Sequence, residues 1–148
     1  MNNFVLFILL ALAAGICIPT QSGINAQLAT YAKSSVFAAT ISFMVGSLAL
    51  FLYVVIMRIP LPVAALGVAP WWCWTGGLLG AFFVAVTIFL VPQLGATTML
   101  SLVLAGQMVA SLIYDHYGAL AFPVHPISPL RVIGVLLIAI GAILIKKF

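Results

Sequence analysis

The sequence predicts an all-α membrane protein of five transmembrane helices, and three observations predict it. Of the 148 residues, 66% are hydrophobic and 4% are charged, where a soluble domain carries about 25% charged residues. Charges and prolines divide this apolar sequence into stretches near the ~20 residues that a bilayer crossing requires. Small residues also recur at helix-packing spacing, Ala11 with Gly15, Gly76 with Gly80, Gly106 with Ala110 and Gly134 with Gly141. In lipid such pairs let helices approach closely, so tight packing is expected around them.

The first helix is expected over residues 4–31. Met1-Asn-Asn leads straight into Phe4 with no basic region and no small-residue cleavage site after a short apolar core, so this segment is expected to remain as a helix. Lys33-Ser-Ser marks a turn, and residues 36–57 make a second crossing that ends at Arg58. "RIPLPVAALGVAP" follows as a loop. No charge interrupts Trp71 to Tyr114; that length suits two helices, 71–92 and 95–114, divided at "PQLG". "DHYGALAFPVHPIS" is the longest connection, and Ser128-Pro129 reads as an N-cap followed by a first-turn proline that opens the fifth helix, 129–146. Residues 1–148 are thus expected to form a single domain. Trp71, Trp72, Trp74, Tyr53, Tyr114 and Tyr117 all fall at helix ends on one side of the membrane, as an interfacial aromatic belt requires.

Five crossings put the termini on opposite sides. Lys33, Lys146 and Lys147 then stand against Arg58 and Arg131, three basic residues to two. So small a bias hardly selects one orientation. A chain that inserts both ways can pair with an inverted copy of itself, which places equivalent half-sites about an axis in the membrane plane. Either a determinant beyond these charges fixes one orientation, or the chain inserts both ways; the second is the expected arrangement, an antiparallel, dual-topology dimer.

"GICIPTQSGINAQ" is the least lipid-like part of the first helix. Pro19 removes a backbone donor and crowds the residue four before it, Gly15, whose missing side chain is expected to ease the clash. At 1.5 Å per residue Pro19 lies near the middle of the helix, hence near the bilayer midplane. Gln21 and Asn25 are four apart and share a face, with Ser22 adjacent. Carboxamides in hydrocarbon must be paired or wetted, either by neighbouring helices or by cargo in a cavity. Pro19, Gln21, Ser22 and Asn25 are the candidate substrate-binding residues, and Gln107, midway along helix four, joins them.

Asp115 is the sole acid of the chain. Arg131 lies on the same side, so a structural ion pair is expected, with a proton relay as the alternative. His116 and His125 offer too few ligands at useful spacing for a metal site. Cys17 and Cys73 sit in apolar runs and are expected to be reduced core thiols. The five basic residues do not form a nucleic-acid surface.

The order and spacing of "GICIPTQSGINAQLA", "GGLLGAFFVAVTIFLVPQLGATT", "GQMVASLIYDHYG" and "PLRVIGVLLIAIGAILI" resemble the YdcZ-like five-helix family of the drug/metabolite transporter superfamily, related to the small multidrug resistance exporters. The resemblance covers nearly the whole chain. It implies a multi-pass protein of the bacterial inner membrane, a dual-topology dimer of identical chains or close paralogues, and packing between subunits at Gly134 and Gly141. The small exporters carry a membrane-embedded glutamate in their first helix; this chain contains no glutamate, so proton-coupled export of lipophilic cations is not carried over.

The resemblance together with the polar first helix leads to a small-molecule transporter working by alternating access in a dimer. Its substrate is expected to be a small neutral, zwitterionic or weakly basic organic compound. A channel or uniporter is the alternative, disfavoured because helices two and five carry almost nothing polar inside; an accessory subunit without cargo is the other. No nucleophile, base and orienting acid come together, and one carboxylate is too few, so an enzyme is not expected. No cofactor and no metal are expected.

Overall fold

Helix α1 occupies Asn3–Ala32 and α2 Ser35–Ile56; a 3-10 helix over Trp71–Thr75 leads into α3, Gly76–Leu94, followed by α4, Ala96–Tyr117, and α5, Pro129–Lys147. This is a computed structural model that describes residues 3–62 and 66–147; part of the expected loop after Arg58, residues 63–65, lies outside them. Among the described residues there are five helices long and apolar enough to cross a membrane. The chain divides into two compact units, Met1–Gln93 and Leu94–Phe148.

In the first unit α1 runs unbroken through Pro19. The proline leaves the Gly15 carbonyl without its helical donor, and the Thr20 hydroxyl donates to the next carbonyl, that of Ile16, at 2.9 Å. Gly15 does not act as expected: a Cβ added to it would meet nothing within 4 Å, because the ring crowds the backbone carbonyl rather than the side-chain position. Lys33, in a left-handed conformation at φ 54°, ends α1. Ser34 then caps α2, its Oγ accepting the Phe37 N–H at 3.2 Å.

Three bonds close α2. The Met57 N–H reaches the Tyr53 carbonyl at 2.9 Å, Arg58 reaches Val55 at 3.1 Å and Ile59 reaches Val54 at 3.0 Å, while Arg58 turns left-handed at φ 52°. The pattern is a Schellman motif with arginine where glycine is usual.

The core of this unit is small. Ala38 and Ala39 of α2 and Ile88 of α3 are buried against Leu28, Ala29, Ala32, Val84 and Ala85. Alanines let the helices approach. Of the helical glycines, only Gly80 meets a neighbour, with the Phe43 ring 3.5 Å from where its Cβ would stand. The other expected small-residue seams are open within one chain. The tryptophans were expected to begin an α-helix, but Trp71–Thr75 is 3-10; their side chains are exposed, and Trp71 and Trp72 meet edge to face at 6.1 Å.

The division between α3 and α4 is narrower than the expected "PQLG" break. Pro92 lies inside α3, and Gly95 alone separates the two helices, at φ 79° and ψ 153°. Only glycine adopts that region readily. Gly95→Ala should therefore lower the stability of the purified protein by about 1–3 kcal/mol, measured as a fall in thermal midpoint. Because a Cβ there would touch nothing, the cost is purely conformational, and an unchanged midpoint would contradict it.

In the second unit α4 and α5 pack together over Met99 and Ala142, both buried. Helix α4 continues three residues beyond the expected end at Tyr114. It stops where Gly118 takes a left-handed conformation and its N–H bonds the Tyr114 carbonyl. A Cβ on Gly118 would lie 2.7 Å from Val124 Cγ2. Ser128 accepts the Arg131 N–H at 3.4 Å, a cap that opens α5 at Pro129.

Candidate functional site

Positions 17, 21 and 25 recur at one-turn spacing on α1, with Thr20, Ile24 and Leu28 beside them. Helix α2 faces this stripe with Ile41, Ser42 and Val45. Between them lies a cavity of about 660 Å³, lined by these residues and Ile16. No charged residue lines it.

Asn25 is 5% exposed, and its Nδ2 is a buried donor with no hydrogen-bond partner. Such a donor costs about 1–3 kcal/mol when nothing receives it. Gln21, one turn earlier, is exposed and also lines an adjoining cavity of about 300 Å³ with Ser42, Phe43, Gly46, Ser47 and Leu50. The α1–α2 face therefore carries a run of neutral polar groups from Asn25 and Gln21 to Ser42 and Ser47. Two further cavities of this unit, about 560 Å³ between α2 and α3 and about 380 Å³ beside Lys33 and Gln93, contain none of the candidate residues.

Pro19 is half-buried and Ser22 is 5% exposed, but neither lines any of these four cavities. Gln107 is exposed on α4, in the second unit, and lines none of them. Gln21 and Asn25 thus come together on the cavity of the first unit, Pro19 and Ser22 do not line it, and Gln107 belongs to the second unit. Sequence reasoning missed Thr20, Ser42 and Cys17. Thr40, Ser42 and Ser47 make α2 more polar than the expectation of almost nothing polar inside that helix, and these residues are legible in the sequence. Both cysteines are free and exposed, against the expectation of core thiols; Cys17 faces the cavity because it lies one turn before Gln21 on the same stripe.

Asp115 lies in the last turn of α4 and Arg131 in the first turn of α5, and their side chains form an ion pair, 24% and 35% exposed respectively. Arg131 Nη1 also donates to the His125 carbonyl at 2.6 Å. The His125 N–H in turn bonds the Asp115 carbonyl at 2.8 Å, and the Ile127 N–H reaches His116 Nδ1 at 3.2 Å. Tyr114 stacks on Phe122, the rings 3° from parallel with centroids 6.4 Å apart. These contacts tie the connection back onto the helix ends. They hold Leu120 and Ala121 at positive φ, 56° and 65°, a conformation that costs about 1–2 kcal/mol per residue. Among the described residues no group of three or more His, Cys, Asp or Glu could hold a metal ion.

On α5, added Cβ atoms at Gly134 and Gly141 would meet nothing within 4 Å. Leu130, Leu137 and Ile140 around them are exposed.

Comparison with known proteins places these features in a family. A family model described as "Putative inner membrane exporter, YdcZ" matches residues 6–144. The chain is 26% identical over 140 residues to the inner membrane protein YdcZ of Escherichia coli (strain K12), covering 92% of this chain and 91% of that one. No solved structure matches.

Proposed function

The chain belongs to the YdcZ family, whose description reads "Putative inner membrane exporter", and from that membership we propose that it moves a small organic molecule across the membrane by alternating access in a dimer. The protein is a multi-pass integral membrane protein, and its relative in Escherichia coli is an inner membrane protein. A transporter role follows from the family; the mechanism, the assembly and the cargo are our reading. The five helices act as one domain of the drug/metabolite transporter type. The partner is an inverted copy of the chain or a close paralogue, and the cargo is small and neutral, zwitterionic or weakly basic.

The observation that carries this reading is Asn25, which lines a cavity of about 660 Å³ and whose amide Nδ2 is buried without a partner. Uncharged polar groups on a cavity wall within the membrane can receive cargo without a permanent charge in lipid. Gln21 supplies a second carboxamide one turn away. The open glycine face of α5 supports subunit packing through Gly134 and Gly141, where backbones can approach closely. In this reading Asp115 and Arg131 clasp the helix ends and take no part in cargo movement.

The assembly is tested by topology. Reporter tags at the C-terminus should show both orientations in cells, because three basic residues stand against two. Adding two or three Lys at one end should force a single orientation and reduce activity. One fixed orientation, with function unchanged after that addition, would remove the antiparallel dimer.

A further inference from the structure

We infer that the cavity between α1 and α2 selects uncharged molecules that offer a carbonyl-type oxygen to Asn25 Nδ2 and lay an apolar body against the walls, an inference that rests on the cavity being the binding site. The walls give two constraints. No Asp, Glu, Lys or Arg lines the cavity, so a cation or anion entering it would lose its hydration with no opposite charge to replace it. The unsatisfied atom is a donor, and a donor is completed by an acceptor.

The shape of the site agrees with its chemistry. Asn25 and Gln21 share the α1 wall, while Ile16, Ile24, Leu28, Ile41 and Val45 supply the apolar surface. The amide torsion of an asparagine is broad, so Nδ2 can turn toward an incoming oxygen at small cost. Pairing Nδ2 removes the cost of its burial and adds the new bond, and both gains are made only when cargo presents an acceptor. A molecule of equal size without an acceptor gains apolar contact alone. The polar groups thus serve selection and the apolar walls serve affinity, the usual division in a small-molecule pocket.

Cys17 makes the test local. It lines the same cavity, and the only other cysteine is Cys73, so in a Cys73→Ser background N-ethylmaleimide reports on this site alone. Full-length protein in lipid nanodiscs is alkylated with and without three probes built on one ring. N,N-dimethylbenzamide is an uncharged acceptor, N,N-dimethylthiobenzamide keeps its shape with a weaker acceptor, and benzyltrimethylammonium is a fixed cation. The benzamide should slow alkylation of Cys17; the thioamide should need about tenfold more probe for the same protection, one hydrogen bond's worth; the cation should give none. Asn25→Leu should bring the benzamide down to the level of the thioamide.

Protection by the cation at the benzamide's concentration, or equal protection by amide and thioamide, would overturn the selectivity while leaving the cavity a binding site. Failure of all three probes to protect Cys17 would remove the binding site itself, and the proposed function with it. The comparison of amide with thioamide uses unsubstituted Asn25, so it decides the question even where Asn25→Leu does not fold.

Discussion

Asn25→Leu is expected to raise the thermal midpoint of the purified protein while weakening cargo binding at least tenfold. The two halves of this result have one cause. Nδ2 is buried without a partner, which costs about 1–3 kcal/mol in the empty protein. Leu has the same branched outline with somewhat more bulk, which the adjoining cavity can take, carries no polar atom and would extend the apolar wall formed by Ile24 and Leu28. Stability should therefore rise by that order, and the donor offered to cargo disappears, at about 1.4 kcal/mol per factor of ten in affinity. If the amide instead joins helices, its loss would lower stability by about 1 kcal/mol and leave affinity intact. Thermal midpoint and binding measured on the same purified variant separate the two. Gln21→Leu should weaken binding too, with a smaller change in stability, since Gln21 is already exposed.

Reversing either member of the Asp115–Arg131 pair is expected to reduce the amount of folded protein sharply, and reversing both to restore much of it. Each single reversal sets two like charges together at the α4–α5 junction and releases the charge-assisted bonds that hold the loop. A hydrogen bond to a charged group contributes about 1.5–3 kcal/mol; because both side chains are partly exposed, the lower end applies. The double reversal recovers the attraction between the side chains. It does not recover the Arg131 bond to the His125 carbonyl, since a carboxylate at position 131 cannot donate, so rescue should be incomplete. Expression level and monodispersity after purification are the measurements. Should Asp115→Asn leave the protein folded and abolish only the pH dependence of transport, Asp115 would be a relay instead.

The five spans, their order and most of their limits were determined by the sequence. Hydropathy over about 20 residues depends on composition alone, and the terminators act locally: Ser34 and Ser128 as caps, Gly95 and Gly118 as positive-φ stops. The residues at fault were those whose local preference is weak. Trp71–Thr75 became 3-10 and α4 ran on to Tyr117, because a helix end is settled by whichever neighbouring group completes its last carbonyls.

The tertiary structure decided which polar residues share a surface. Gln21, Ser22 and Asn25 are equally polar in sequence, but a helix advances 100° per residue, and only the approach of α2 determines which direction becomes a cavity wall. That approach buried Asn25, left Gln21 open, brought Ser42 opposite them and turned Cys17 to the same space. Periodicity along one helix carries no information about the helix that will face it. Burial and the unpaired donor are properties of the pair, and they arise when α1 and α2 pack through Ala38 and Ala39.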